Sequence, residues 1–131
     1  MIDDMFYLDL IGRPFHVSAW NCWTLCRHIW RCLGWWLPEY PYAERGKLPD
    51  GELRTREAQF IRLPRAVPWS IAVLRQRHAE THAGIVLPDC ETFIHVSERH
   101  GTVITPLRRY RALLEGIFWY ENEDNSYRQS V

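Results

Sequence analysis

The chain has 131 residues, a length that fits one domain and leaves little room for a second. Its 16 Lys and Arg residues balance 16 Asp and Glu residues, whereas a nucleic-acid-binding protein is usually basic. No apolar run reaches the roughly 18 residues of a membrane span, and the acidic N-terminus differs from the basic start of a secretory signal. We therefore expect no nucleic-acid partner, no membrane span and no signal peptide.

Helices are predicted in the first half of the chain. Residues 4–11 are typical of a short helix that ends at Gly12-Arg13-Pro14. Asn21 is a typical N-cap, and Gly34 is a typical C-cap. Between them, apolar residues recur at helical spacing and predict one buried face: Cys22, Leu25, Cys26, Ile29 and Leu33. Residues 38–50 are rich in proline and predict a loop, and a more polar helix is expected over 51–60.

From Pro68 onward the pattern changes to short apolar or β-branched stretches separated by turn signals. They predict strands at Ser70–Leu74, His82–Leu87, Thr92–Val96, Thr102–Thr105 and Leu114–Tyr120. Helices followed by strands indicate the α+β class, with N-terminal helices packed on a small antiparallel β-sheet of about five strands. We expect a single domain over residues 1–120 and a polar, flexible tail over residues 121–131.

Cys22 is the first candidate catalytic residue because it begins a predicted helix. The macrodipole and the unpaired N–H groups at a helix N-terminus favour a thiolate and can hold an oxyanion. We therefore expect a lowered thiol pKa and an oxyanion-hole role for the backbone N–H of Cys22. The alternative is that Cys22 is only the first apolar residue of an amphipathic helix.

His82 and His95 are the candidate base and orienting partner. If a hairpin turns around Pro88–Glu91, Leu87 faces Thr92 and His82 faces Ser97. His95 is then a diagonal neighbour of His82 on the same sheet face, at about 7–8 Å between backbones. The two imidazoles are predicted to contact each other. Taken singly, either residue could be a half-buried strand histidine without a catalytic role.

Three blocks of the sequence carry a family resemblance. Asn21-Cys22-Trp23-Thr24-Leu25-Cys26-Arg27 resembles the nucleophile segment of NlpC-type cysteine peptidases, and most of all that of the phage-tail branch. His82-Ala83-Gly84-Ile85-Val86-Leu87 resembles the block with the base, and Phe93-Ile94-His95-Val96-Ser97 resembles the block with the third polar residue. The resemblance implies a papain-like NlpC fold over roughly residues 4 to 120, and a Cys22–His82–His95 triad that needs no metal or other cofactor.

The resemblance also implies a function, namely hydrolysis of an amide bond in the peptide stem of bacterial peptidoglycan by a thiol protease. The family usually cleaves between D-γ-glutamyl and a diamino acid. We expect a phage or prophage tail component with tail proteins as partners, located in the virion tail, or in the bacterial cytoplasm before assembly, and acting at the cell wall in the periplasm. Two alternatives stay open: a secreted antibacterial amidase toxin, and an inactive tail structural module. Asn21 and Thr24, which replace the family's usual Asp and Gly, motivate the second.

Other residues are weaker candidates. Trp20 and Trp23 flank the nucleophile and could stack on substrate, although core packing is the commoner role of such rings. Arg108, in a basic run that could also be a solvated turn, could grip a carboxylate of an acidic stem peptide. Cys22, Cys26 and Cys32 do not converge on one point of a helix and include no Cys-x-x-Cys pair, so no metal site is expected.

Overall fold

Residues 5–39, 48–49, 60–75 and 80–121 are described by a computed structural model. The helical elements are the 3₁₀ helix η1 (Phe6–Leu10), the α-helix α1 (Cys22–Cys32) and the 3₁₀ helix η2 (Leu107–Leu113). The strands are β1 (Leu48–Pro49), β2 (Phe60–Leu63), β3 (Ile71–Arg75), β4 (Glu80–Val86), β5 (Thr92–Ser97), β6 (Gly101–Pro106) and β7 (Leu114–Tyr120). Helices come first and an antiparallel sheet follows, which confirms the predicted α+β class.

Asn21 is the N-cap of helix α1, as predicted. The Asn21 side chain accepts hydrogen bonds from the backbone N–H groups of Trp23 at 3.1 Å and Thr24 at 3.0 Å. In return, the Asn21 N–H donates to Thr24 Oγ1 at 2.7 Å, which completes a reciprocal capping box. At the other end, Gly34 follows the C-cap Leu33 with a φ of 87°, a left-handed conformation that favours glycine.

The sheet has seven strands among the described residues: six follow the order β2-β7-β3-β4-β5-β6, and the short β1 pairs with β4. The expectation of about five strands was therefore too low. Strand β2 was not predicted, and its first residue, Phe60, was wrongly expected to end the helix over 51–60. Strand β1 lies inside the predicted 38–50 loop. Residues 51–59 of the predicted second helix and residues 122–131 of the predicted tail lie outside the described residues.

The β4–β5 hairpin has the predicted register. Ile85 pairs with Ile94 and Val86 pairs with Phe93, and the Leu87 N–H donates to the Thr92 carbonyl at 2.9 Å. Extending this register places His82 opposite Ser97, so His95 is its diagonal neighbour. The turn geometry predicted from Pro88–Glu91 is confirmed, and with it the shared face of the two histidines.

The core lies between α1 and the sheet face formed by β4 and β5. An aromatic cluster extends it toward β7, where the Trp119 ring lies 4.6 Å from Trp30 and 5.1 Å from Trp35 between centroids. Helix α1 is thereby held against the sheet along its length. Within the described residues, no helix has the length and apolarity that crossing a membrane requires.

Candidate functional site

Two buried histidines are joined on adjacent strands. His82 on β4 and His95 on β5 are 8% and 4% exposed. The distance between His82 Nε2 and His95 Nδ1 is 2.9 Å, a good hydrogen bond. One of the two nitrogens must therefore carry the proton and the other must accept it. The predicted contact between the imidazoles is confirmed.

Thr105 on β6 extends the pair to a chain of three side chains. Its Oγ1 lies 2.9 Å from His95 Nε2 and is 5% exposed as a residue. We did not predict this role. The same diagonal rule could have found it, because the β5–β6 hairpin pairs His95 with Val103 and makes Thr105 a diagonal neighbour of His95.

The packing around His95 fixes its ring. Phe93 lies two residues earlier on the same face and stacks on it, with centroids 4.4 Å apart and planes 12° apart. The Tyr110 ring of η2 meets both stacked rings edge-on, at 6.0 Å from His95 and 5.8 Å from Phe93. On β4, Gly84 allows the close approach, because a Cβ there would lie 3.0 Å from His95 Cβ and 2.7 Å from the Ile94 carbonyl oxygen. The two rings are thus oriented by backbone and packing together.

Burial keeps both imidazoles neutral. It lowers the pKa of His82 to about 4, and burial together with the neighbouring His82 lowers the pKa of His95 to about 3. At neutral pH each ring therefore has one N–H and one lone pair. If His82 Nε2 donates to His95 Nδ1, then His95 Nε2 donates to Thr105 and the lone pair of His82 lies on Nδ1. In this tautomer His82 can act as a general base.

Cys22 occupies the first turn of α1 and lies against β4. The backbone N–H groups of Ala83, Trp23 and Cys22 itself all favour the thiolate. Burial opposes them and is stronger, since the residue is 1% exposed, and it raises the pKa of the thiol to about 11. The expectation of a lowered pKa was therefore wrong. A helix N-terminus favours the thiolate less than complete desolvation disfavours it.

The contact with Ala83 brings the Cys22 thiol to the residue that follows His82. In the described part of the chain, no hydrogen bond joins the thiol to the His82 ring itself. The structure therefore links His82 to His95 directly and links Cys22 to their strand through the backbone. At neutral pH the resting site contains an uncharged thiol and two uncharged imidazoles.

The backbone N–H of Cys22 does not donate to the capping side chain of Asn21. Asn21 accepts hydrogen bonds from the two N–H groups that follow, those of Trp23 and Thr24. The Asn21 amide is itself held by donation to the Val17 carbonyl at 2.9 Å. Asn21 therefore does not cap the first N–H of the helix, that of Cys22, which interacts with the Cys22 thiol. This N–H could also donate to a developing oxyanion.

The three weaker candidates have different environments. Trp23 is completely buried, and its Nε1 donates to the Pro38 carbonyl at 2.7 Å, so it belongs to the core. Trp20 is 4% exposed, and its Nε1 donates to Thr102 Oγ1 at 2.7 Å. Arg108 is exposed on η2 and lines a cavity. Arg108 alone among them is available to a ligand in this conformation.

Metal-binding geometry is absent from the described residues, which contain no group of three or more His, Cys, Asp and Glu side chains able to hold an ion. All four cysteines are free thiols. Cys32 Sγ lies 3.7 Å from His28 Nε2 on the outer face of α1, which is a local contact within one helix.

Comparison with known proteins adds no assignment. No family model matches the chain, and no curated protein matches it significantly.

Proposed function

We propose that the protein is a cysteine peptidase with a papain-like NlpC fold that hydrolyses an amide bond in the peptide stem of bacterial peptidoglycan. One observation carries this proposal. His82 is bonded to His95 at 2.9 Å, and the next residue on the same strand, Ala83, contacts the Cys22 thiol through its backbone. A nucleophile, a base and an orienting group on neighbouring elements are the parts that acyl transfer requires. The resemblance of the Cys22 segment to the phage-tail branch supports a role in a phage or prophage tail.

The first chemical step would be attack of Cys22 Sγ on the substrate carbonyl. His82 Nδ1 would take the thiol proton while the C–S bond forms, because both groups are neutral at rest. His95 would hold His82 in this tautomer by accepting from Nε2, and Thr105 would hold His95 in the same way. The Cys22 N–H would stabilise the oxyanion.

In the second half of the reaction, His82 would act first as a general acid and then again as a general base. The imidazolium of His82 would give its proton to the leaving amine, and the acyl group would remain on the Cys22 sulfur as a thioester. His82 would then remove a proton from a water molecule that attacks this thioester. Release of the carboxylic acid would restore the thiol and the neutral imidazole.

Digestion of purified peptidoglycan tests the proposal. We expect new free amines and a defined stem-peptide cleavage by mass spectrometry, lost in Cys22→Ala and His82→Ala and weakened in His95→Ala. Cys26→Ala is the matched control, because Cys26 is equally buried one turn along the same helix and contributes no catalytic atom. Loss of activity in Cys26→Ala alone, or no amine release by the unmodified protein, would contradict the proposal.

A second candidate is a catalytically inactive structural module of the same fold. The 1% exposure of Cys22 and the elevated pKa of its thiol favour this candidate. Peptidoglycan digestion separates the two functions, because an inactive module would release no amine even at high protein concentration.

A further inference from the structure

The segment after β6 presents arginine side chains on one side of the molecule. Helix η2 carries Arg108 and Arg111, one on each side of its kink. Although the helix is kinked at Tyr110, both arginines line a cavity of about 320 Å³ together with Glu91, Leu107 and Leu114. They also line a neighbouring cavity of about 460 Å³ with Arg109.

The charges in the first cavity are not neutralised by one another. The ion pairs found among the described residues join Arg27 to Glu39 and Arg75 to Glu115. Arg108, Arg111 and Glu91 form no ion pair within that part of the chain. Two arginines and one glutamate, all three exposed, therefore line the same cavity without an ion pair between them.

The mixture of charges selects the ligand class. A simple polyanion would be attracted by the arginines but repelled by Glu91. A ligand that carries both a carboxylate and an ammonium group satisfies all three side chains, because guanidinium binds carboxylate bidentately and Glu91 attracts the ammonium. Leu107 and Leu114 add an apolar wall that suits a methylene chain.

The cavity is fixed relative to the histidine pair. The Leu107 N–H donates to the Glu91 carbonyl at 2.9 Å, which ties η2 to the start of β5. Tyr110, between Arg109 and Arg111, packs its ring edge-on against His95. A ligand held in the cavity would therefore lie on the His95 side of the candidate catalytic site.

We propose that the cavity between Arg108 and Arg111 binds the zwitterionic head group of an amino acid, with its carboxylate on the two arginines and its ammonium on Glu91. This inference rests on the proposed function in one respect: the diamino acid of the stem peptide is the natural source of such a head group. The cavity would then be the subsite that recognises the free amino-acid end of this diamino acid.

Titration of the full chain with meso-diaminopimelic acid tests the inference, by calorimetry and by amide chemical shifts. We expect Arg108→Gln and Arg111→Gln each to weaken binding by about ten- to a hundredfold, the usual effect of losing a charge-assisted hydrogen bond. Amidation of the probe's carboxyl groups should weaken binding to a similar extent. Arg99→Gln, an exposed arginine in the β5–β6 turn, is the matched control and should bind as the unmodified protein does.

Acetylation of the probe's amino groups tests the role of Glu91 separately. The acetylated probe should bind the unmodified protein more weakly than diaminopimelic acid does, and Glu91→Gln should remove this difference.

If the diamide binds as tightly as the acid, or if inorganic phosphate binds equally well, the head-group assignment is overturned. If binding behaves as expected but peptidoglycan is not hydrolysed, the proposed function fails while the subsite stands. If hydrolysis occurs but both arginine variants bind normally, only the subsite fails.

Discussion

Gly84 is the position where one added methyl group should separate the two histidines. An alanine Cβ at this site would lie 2.6 Å from Phe93 Cδ2, 2.7 Å from the Ile94 carbonyl oxygen and 3.0 Å from His95 Cβ. Two of these neighbours belong to the backbone or the root of a side chain, so they cannot move aside without moving strand β5. The added methyl should therefore push His95 away from His82.

The magnitude follows from two opposing effects. Overpacking of this kind costs about 1–3 kcal/mol. Replacing glycine by alanine also restricts the unfolded chain, which stabilises the folded state by about 0.4–1 kcal/mol. We expect Gly84→Ala to be destabilised by about 1–2 kcal/mol, and to lose hydrolytic activity by more than the loss of folded protein explains.

Gly116→Ala is the matched control for urea unfolding and for activity. It is a buried strand glycine in β7, and its added Cβ would meet the tips of the Phe118 ring at 3.0 Å and of the Arg62 side chain at 3.2 Å. These ends can rotate away, so we expect a change within about 0.5 kcal/mol. If the two variants are equally stable and equally active, the close approach at Gly84 does not position His95 and the reasoning is refuted.

Three further outcomes are expected. Burial lowers the pKa of His82 from 6.5 to about 4, so the unfolded chain takes up a proton at this residue at a higher pH than the folded protein does. The free energy of unfolding should therefore be at its full value above pH 6.5 and should fall as the pH falls toward 4. Urea unfolding should show a decrease of roughly 3 kcal/mol in the free energy of unfolding over this pH range. The decrease should be smaller in His82→Asn and the same as in the unmodified protein in His100→Gln. Burial raises the pKa of the Cys22 thiol to about 11, so iodoacetamide at pH 8 should label the more exposed Cys90 before Cys22. Peptide mass spectrometry follows the two labelling rates, and equal rates would contradict this expectation. Thr105→Val should destabilise the protein by about 1–3 kcal/mol because His95 loses its partner, and Thr105→Ser should retain stability in the same urea assay. Equal stability of these two variants would show that the hydroxyl is not required.

Local sequence signals predicted the elements that hold the site. Asn21 before an apolar helical pattern located the start of α1, and Pro88–Glu91 set the register of the β4–β5 hairpin. Both depend on short-range chemistry, namely capping and turn formation. The contact between His82 and His95 followed from that register and could therefore be predicted before any coordinates were known.

Long-range packing accounts for what was missed. The thiol pKa of Cys22 depends on how completely the sheet covers it, and no neighbour in sequence reveals this burial. Strand β2 exists because Phe60–Leu63 pairs with β7, more than fifty positions further along the chain. The arginines of η2 form a basic run in the sequence, but their shared cavity with Glu91 depends on the fold that brings β5 and η2 together.

The position of β7 in the sheet has a consequence for synthesis on the ribosome. It is the last strand of the described chain, yet it lies between β2 and β3 and bonds to both. Neither neighbour can complete its pairing until β7 has left the exit tunnel, so the backbone N–H and C=O groups that would bond to β7 stay unpaired while the intervening residues are translated. Folding should therefore finish after translation of β7, and nascent chains that stop short of it should be bound by chaperones.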